Sequence, residues 1–560
     1  MTRSAAKLCS TDIAAPSASG SLESWRLAIV IASLCLGVFL FGLDTTIIAT
    51  AIPQITTEFR SLADVSWYGS AYLLTLTAFQ PLFGNLYKYF NGKVIYLVSL
   101  VVFEAGSVVC AAAPNSTALI LGRAILGLGA AGLLQGALAI IGYVVRLDKV
   151  PLFIGIVVGF MGISTCVGPI LGGVLTQYAT WRINVPCGVC VIVLLYIFVP
   201  FRSASNPANI SLPLGEKIRH MDMGGTVVFI GAICCLLLAL TWGGTLYAWT
   251  DPKSIGLLVG FALLTIGLCY WLWRQGEEAM IPLRVLRQRS LSMGSLVLFC
   301  LGLMTQTYSF YLPIFFQSGQ GVSTTESGIR IIAMIAPVIV SIMVTGGIVS
   351  TWGHYVPFMM AGIVVMSISA GFLTTIDIFT PTATWAAILT LVGIGVGMVQ
   401  QLPYTALQAA LEPSDLATGN AIAVFSYQLG GAIGIAIAQN LLLSRLRLAV
   451  PEYTGSQDRL LPEQVIAVGA NGLSHLTSSP EILSGLRQAY ASAVRHTFIL
   501  ALAAACSALL PACFMERLNI KRVAKERERN KKHQEQEMER EKDGSTLTER
   551  DNNVYSMFVE

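Results

Sequence analysis

About fourteen separate apolar stretches, most of them twenty residues or longer, run through this chain from Leu27 to about Met515. A helix rises about 1.5 Å per residue, so some twenty apolar residues cross the roughly 30 Å hydrocarbon layer of a bilayer. The repetition therefore dictates an all-α, polytopic membrane protein. Charged residues make up only 12% of the chain against 54% hydrophobic ones, and the mean hydropathy is +0.69. A soluble domain carries about 25% charged residues, so these few charges cannot cover a water-facing surface. The net charge of +4 is dispersed over short loops and one tail, which argues against a nucleic-acid partner.

The runs place spans near 27–53, 66–86, 94–113, 117–143, 151–178 and 183–201, two more near 221–243 and 254–273, and six near 291–316, 328–350, 355–376, 384–403, 418–443 and 495–515. This order divides the chain into an N-terminal tail (1–26), a six-helix bundle (27–201), a polar loop (202–220), two additional helices with their connection (221–290), a second six-helix bundle (291–515) and a charged tail (516–560). Residues 1–26 are polar and the first apolar run is too long for a signal-peptide core, so the first span is expected to stay as an anchor. The Lys and Arg bias of the loops sets the orientation. With the N-terminus inside, the cytoplasmic loops hold Lys88, Lys93, Arg146, Lys149, Arg202, Lys217, Arg219, Arg274, Arg284, Arg287 and Arg289, against Arg60, Arg182 and Lys253 outside. An even number of crossings returns the C-terminus to the cytoplasm as well. Its mixed-charge tail reads as a solvated, partly helical or disordered segment. The connection between about Ser444 and Val494 reads as a long outer loop whose leucines lie along the membrane surface.

Intramembrane cysteines such as Cys35, Cys110, Cys166, Cys234, Cys235, Cys269, Cys300 and Cys506 lack metal-ligand spacing and read as small buried side chains. Asn115 and Asn209 begin glycosylation sequons, one close to the membrane and one on the cytoplasmic side, so neither is expected to carry a glycan. The five histidines His220, His354, His475, His496 and His533 are scattered, and no phosphate-cradling loop is present. Neither an intramembrane enzyme nor direct ATP drive fits, and no cofactor or metal is expected.

An ionised side chain in mid-membrane costs about 2.5–3.5 kcal/mol even on the mildest scale, so it needs a partner, an aqueous cavity or a task. Asp44 in span one, Glu104 in span three and Arg123 in span four fall at similar depths, roughly 9–15 Å below the outer boundary. They are expected to form one buried network. Either a proton-accepting carboxylate poised by Arg123 or a static ion pair that fixes helix packing satisfies this reading. In span five, Gly159 to Gly173 read GFMGISTCVGPILGG, in which Gly162, Gly168, Gly172 and Gly173 allow close packing and Pro169 removes a backbone donor.

These residues resemble the major facilitator superfamily, in its fourteen-span group of drug:proton antiporters. Leu43–Pro53 resembles that group's first-helix motif, Leu121–Gly129 its fourth-helix motif, and Gly162–Gly173 its fifth-helix antiporter motif. Leu238–Gly244 with Tyr247 and Trp249, Tyr311–Gln317, Gln400–Gln401 and Gln428–Ala432 resemble the fungal toxin-efflux branch. The resemblance implies two six-helix bundles plus two additional helices, both termini cytoplasmic, and a functional monomer driven by the proton gradient. It also implies export of a hydrophobic secondary metabolite, mycotoxin or drug, and assigns Arg123 to proton coupling. The plasma membrane is the expected location, with a vacuolar or vesicular membrane as the alternative. Uptake or vacuolar loading of a siderophore, polyamine or basic amino acid, and a non-transporting sensor, are the alternative functions.

Two departures stand out. The loop after span two reads Gly84 to Lys93 with Lys88 where the superfamily places an aspartate, so the charge relay of Gly84, Lys88 and Lys93 at the cytoplasmic gate differs from the usual one. After span five, Trp181-Arg182 runs straight into Ile183, and loss of about one helical turn rotates the start of span six by roughly 40°. Substrate contacts are expected between the two bundles near the midplane, from Gln306, Tyr308, Tyr311, Gln400, Gln401, Tyr404, Tyr427 and Gln428. Together they imply a large, mainly apolar ligand with a few polar groups, although each alone equally fits an interhelical hydrogen bond worth about 0.6 kcal/mol. Arg330 is expected to snorkel towards the outer headgroups.

Overall fold

Helices carry the architecture because a backbone in lipid must satisfy its own hydrogen bonds. The computed structural model describes residues 24–59, 65–178, 221–244, 247–454 and 479–530, with a few isolated positions besides. The first half comprises α1 (Ser24–Phe59), α2 (Val65–Tyr89), α3 (Gly92–Ala111), α4 (Ser116–Val144) and α5 (Val150–Tyr178). Two further helices follow, α6 (Met223–Trp242) and α7 (Pro252–Gln275), and a short α8 (Leu283–Leu286) leads into the second half. That half contains α9 (Arg289–Ile314), α10 (Thr324–Trp352), α11 (Val356–Leu373), α12 (Thr382–Gln400), α13 (Leu402–Ala410), α14 (Leu416–Thr454), α15 (Pro480–Ser507) and α16 (Leu509–Cys513). Among the described residues, eleven helices are long and apolar enough to cross a membrane. The expected sixth span, the shortened Trp181–Ile183 connection and Asn209 lie outside the described residues.

One apolar core runs through both halves, from Val30 in α1 to Ala505 in α15. Outward faces remain apolar, with Val98, Leu263, Ile266, Val340 and Phe372 exposed, as a surface solvated by lipid tails requires. Small residues set how closely the helices approach. A Cβ on Gly430 would meet the Phe299 carbonyl carbon at 2.8 Å, and one on Gly302 would meet that of Tyr427 at 2.9 Å, so α9 and α14 pack backbone against backbone.

The α6–α7 pair is clamped by Asp222, a left-handed residue with φ of 46°, a conformation aspartate tolerates better than most side chains. Its carboxylate caps α6 by accepting from Gly225 N (2.9 Å) and also accepts from Trp271 Nε1 (2.8 Å) and Met280 N (2.9 Å). Trp242 at the far end of α6 packs edge-on against Trp67 of α2, and Phe229 against Phe425 of α14. The pair thus lies against the seam between the halves.

Several sequence expectations are corrected here. Helix α14 continues through Arg445 and Arg447 to Thr454 and α15 begins at Pro480, so the connection between them is much shorter than 444–494. Hydropathy falls at those arginines, but a helix stops where its backbone is capped and not where its side chains turn polar. Residues 520–530 of the tail are helical, within the partly helical reading, and although most of them are exposed this part is docked on the bundle through the buried Ile520 and through Arg527. Cys269 and Cys506 are exposed on helix faces, and only some of the other cysteines are buried. Arg330 reaches back towards the start of α10, where it pairs with Glu326 (2.5 Å) and Gln320 and lies over the Trp385 ring at 5.4 Å. Asn115 serves as the N-cap of α4, accepting from Ala118 N at 2.9 Å.

Candidate functional site: a buried ion pair and a closed gate

Arg123 lies seven residues into α4, about 10 Å below the helix end. Two glycines let neighbours reach it. A Cβ on Gly122 would meet Cys110 N of α3 at 2.8 Å, and one on Gly127 would meet the Tyr72 carbonyl carbon of α2 at 3.1 Å. With α2 drawn in, Arg123 Nε donates to the Tyr68 carbonyl oxygen at 2.8 Å and its guanidinium lies 4.5 Å from the centre of the Tyr72 ring. Its Nη1 donates to Asp44 Oδ2 at 2.5 Å. Asp44 is 7% and Arg123 2% exposed, so bulk water screens neither charge. Charge-assisted bonding of this kind is about twice as strong as its neutral counterpart, and the ring face adds a cation–π contact.

Glu104 is brought near but not into this pair. It is buried on α3 and close enough to Asp44 to repel it electrostatically, yet among the described residues neither carboxyl oxygen has a hydrogen-bond partner. The expected three-membered network is therefore an ion pair with a separate, adjacent carboxyl group. Helix α1 continues to Phe59, about 22 Å beyond Asp44, so the helix outlasts the apolar run from which the depth of Asp44 was read. Sequence reasoning missed Tyr68 and Tyr72. Their i, i+4 spacing on α2 opposite a lone intramembrane arginine was the available signal.

At the end of the molecule that carries Lys88, Lys93, Arg146 and Lys149, the two halves meet. There a Cβ on Gly346 of α10 would meet the Pro151 carbonyl oxygen of α5 at 2.9 Å, and nearer the middle of the same two helices Gly162 lies against Ile339 (3.0 Å to Cγ1 from a built Cβ). On the other side of the seam, Gly84 of α2 would place a Cβ 2.6 Å from Ala421 Cβ of α14. Hydrogen bonds cross between the halves here as well: Gln408 Nε2 of α13 donates to the Leu138 oxygen (3.2 Å), Tyr143 Oη to the Pro413 oxygen (3.3 Å) and Ser350 Oγ to the Asp148 oxygen (2.7 Å). Lys88 has Asp415 of the second half as a charged neighbour, and Asp415 is ion-paired with Arg284 at 2.8 Å. The cation of this neighbouring pair thus sits on α2 and the carboxylate before α14. Lys93 is buried at the start of α3. Gly168 is buried, whereas the side-chain surroundings of Pro169, Gly172 and Gly173 lie outside the described residues.

The candidate substrate residues separate into groups. Gln401 faces the seam, its Nε2 donating to the Ile342 oxygen (2.7 Å) and its amide close to Gly155 of α5. Gln400, Tyr404 and Gln428 are buried. Gln306 packs on Gly431, and Tyr427 Oη shares a hydrogen bond with Thr305 at 3.0 Å. Tyr308 is fully buried against Phe498 of α15, and Tyr311 Oη donates to the Ile435 oxygen and Gln439 Oε1, both at 3.1 Å. Tyr308 and Tyr311 therefore bind α9 to other helices of the same half and do not face the first half. We expect Tyr311→Phe to lower thermal stability by about 1 kcal/mol while leaving the substrate KM unchanged. A large KM shift at unaltered melting temperature would return this residue to the ligand site.

Comparison with known proteins agrees with this architecture. The family model described as Major Facilitator Superfamily matches residues 34–435. The MFS-type efflux pump MFS1 of Arthroderma benhamiae is 40% identical over 500 residues, covering 89% of this chain and 92% of that protein. The efflux pump aflT of Aspergillus parasiticus is 38% identical, covering 91% and 99%, and the rubrofusarin-specific efflux pump aurT of Gibberella zeae is 35% identical, covering 89% and 90%. Among solved structures, the proton:xylose symporter XylE shares the fold with a TM-score of 0.54 at 14% identity, over 86% of this chain and 95% of that one. The human organic anion transporter MFSD10 does so with a TM-score of 0.53 at 14% identity, over 85% and 99%. A chain matched by that family model over most of its length, and by full-length relatives at this identity, belongs to the Major Facilitator Superfamily.

Proposed function

We propose that this protein is a proton-coupled exporter of a hydrophobic secondary metabolite, mycotoxin or drug. Its relatives include efflux pumps over nearly their whole length, which supports a transporter that moves small molecules out and not an enzyme. The observation that carries the proton-coupled reading is the buried Asp44–Arg123 ion pair. A proton on Asp44 removes the charge that holds Arg123. The pair then loses most of its attraction, and the packing of α1 against α4 is biased towards a second arrangement. Protonating Glu104 breaks no described hydrogen bond, which makes it a holding point beside the pair. The basic loops favour a cytoplasmic side for the end at which the halves are joined, and the described contacts across the seam there support a reading in which that end is closed against return of cargo.

The reading places the chain in the fourteen-span drug:proton antiporter group, acting as a monomer in the plasma membrane. Cargo would be met by Gln401, Gln400, Tyr404 and Gln428 rather than by Tyr308 or Tyr311. Counterflow in proteoliposomes tests transport itself: external unlabelled toxin should accelerate movement of labelled toxin. A protein that binds the compound yet produces no counterflow is a sensor, and the proposal falls.

A further inference from the structure

The tail helix at 520–530 is built as a docked element. Asn519 caps it, its Oδ1 accepting from Lys521 N (3.0 Å) and Arg522 N (3.2 Å). Its start is fixed by the Ile520 N bond to the Gly353 oxygen at 2.9 Å and by burial of Ile520. The preceding turn is fixed by Glu516, whose Oε2 accepts from Ser290 Oγ at 2.8 Å. Two turns further on, Arg527 is half-buried and reaches the end of α13. Its Nη1 donates to the Gln408 oxygen (3.3 Å), and its Nη2 donates to the Ala409 oxygen (2.9 Å) and the Leu411 oxygen (2.7 Å).

The position of those carbonyls gives the contact its meaning. The last carbonyls of a helix have no intrahelical donor, and a guanidinium at a helix C-terminus both satisfies them and matches the dipole. Helix α13 is a separate nine-residue piece, broken from α12 at Gln401 and carrying Pro403 in its first turn. So short a helix has little stability of its own. Its Gln408 crosses to Leu138 of the first half. One residue therefore links the two events: Gln408 gives its carbonyl to the tail and its side-chain amide to the other half.

We propose that the C-terminal helix is a working part of the gate, with Arg527 a positioning residue that holds the last turn of α13 so that Gln408 stays on Leu138. The tail thereby favours the state closed at the basic end. Burial opposes the charge of Arg527 and the nearby Glu412 supports it, and an arginine remains protonated throughout the physiological range. The brace accordingly does not depend on pH.

The inference rests on the alternating-access reading, but its test needs no substrate. Amide hydrogen exchange would be followed on the full chain in lipid nanodiscs, for native protein, Arg527→Ala, Arg527→Lys and Gln408→Leu. Removing the guanidinium should speed exchange across 402–411 by about tenfold or more and also speed it near 138–144, with α11 unchanged. Lysine, which presents one point of charge and no fork, should recover part of the protection. Arg527→Ala should add little to the acceleration near 138–144 that Gln408→Leu already causes. Unaltered exchange over 402–411 in Arg527→Ala, or acceleration confined to 519–530, would overturn the proposal. Counterflow measured on the same preparations reports separately on whether the export reading stands.

Discussion

Asp44→Asn is expected to insert and fold normally yet lose export driven by a pH gradient, by about two orders of magnitude or more when several kcal/mol of coupling vanish. The amide oxygen of asparagine can still accept from Arg123 Nη1 in the geometry seen at 2.5 Å, so the shape of the site survives. What disappears is the negative charge and its capacity to take up a proton. The substituted protein should therefore still exchange labelled for unlabelled substrate but fail to concentrate it in everted vesicles. Arg123→Ala should have a wider effect. Breaking a buried pair strands the remaining charge at about 3–5 kcal/mol, and here the Tyr68 carbonyl and the Tyr72 ring lose their partner too. Reduced abundance in the membrane would accompany its loss of transport. Vesicles carrying Asp44→Asn that concentrate substrate as well as the native protein would contradict the assignment.

Gly84→Leu should have the second large effect, through the gate instead of the proton site. A Cβ at Gly84 already falls 2.6 Å from Ala421 Cβ, with the Gln135 amide nitrogen at 3.4 Å and the Ala417 oxygen at 3.6 Å. Three further carbons have no room while α2 and α14 remain in contact. Overpacking within a fixed core costs about 1–3 kcal/mol, but this seam has an alternative, because the halves can stay apart. The expected result is a protein of normal abundance held open at the basic end. Alkylation of residues lining the cytoplasmic side should be faster, and export should fall at least about tenfold. Gly84→Ala should lie between the two. Native export rates in Gly84→Leu would show that closure at this point is not part of the cycle.

How much of this was legible in the sequence follows from which interactions leave a one-dimensional trace. Lipid solvation does, since it writes an apolar run for each helix, and the order of the helices was read from those runs. The Asp44–Arg123 pair was legible because a charge in oil is costly enough to stand out against its surroundings. Glu104 stood out equally, but its failure to join the pair depends on how α3 is rotated, and apolar runs carry no such information. Tyr311 gave no sign of whether it faces cargo or Gln439, because a buried hydroxyl needs a partner in either case. The extension of α14 past Arg445 and the further helix α13 after the break at Gln401 were hidden because hydropathy marks the edge of the lipid and not the end of a helix. The docking of Arg527 on α13 was invisible for another reason: its acceptors are backbone carbonyls, which every sequence possesses.

The central claim is that ionisation of Asp44 is tied to the movement of cargo. Proton flux across substrate-loaded proteoliposomes tests it most directly, with a pH-sensitive dye inside and no imposed gradient. Cargo moving down its own gradient should drive protons the opposite way in native protein, and this counter-movement should vanish in Asp44→Asn while cargo exchange persists. Cargo movement with no accompanying proton signal in the native protein, or an undiminished signal in Asp44→Asn, would contradict the account.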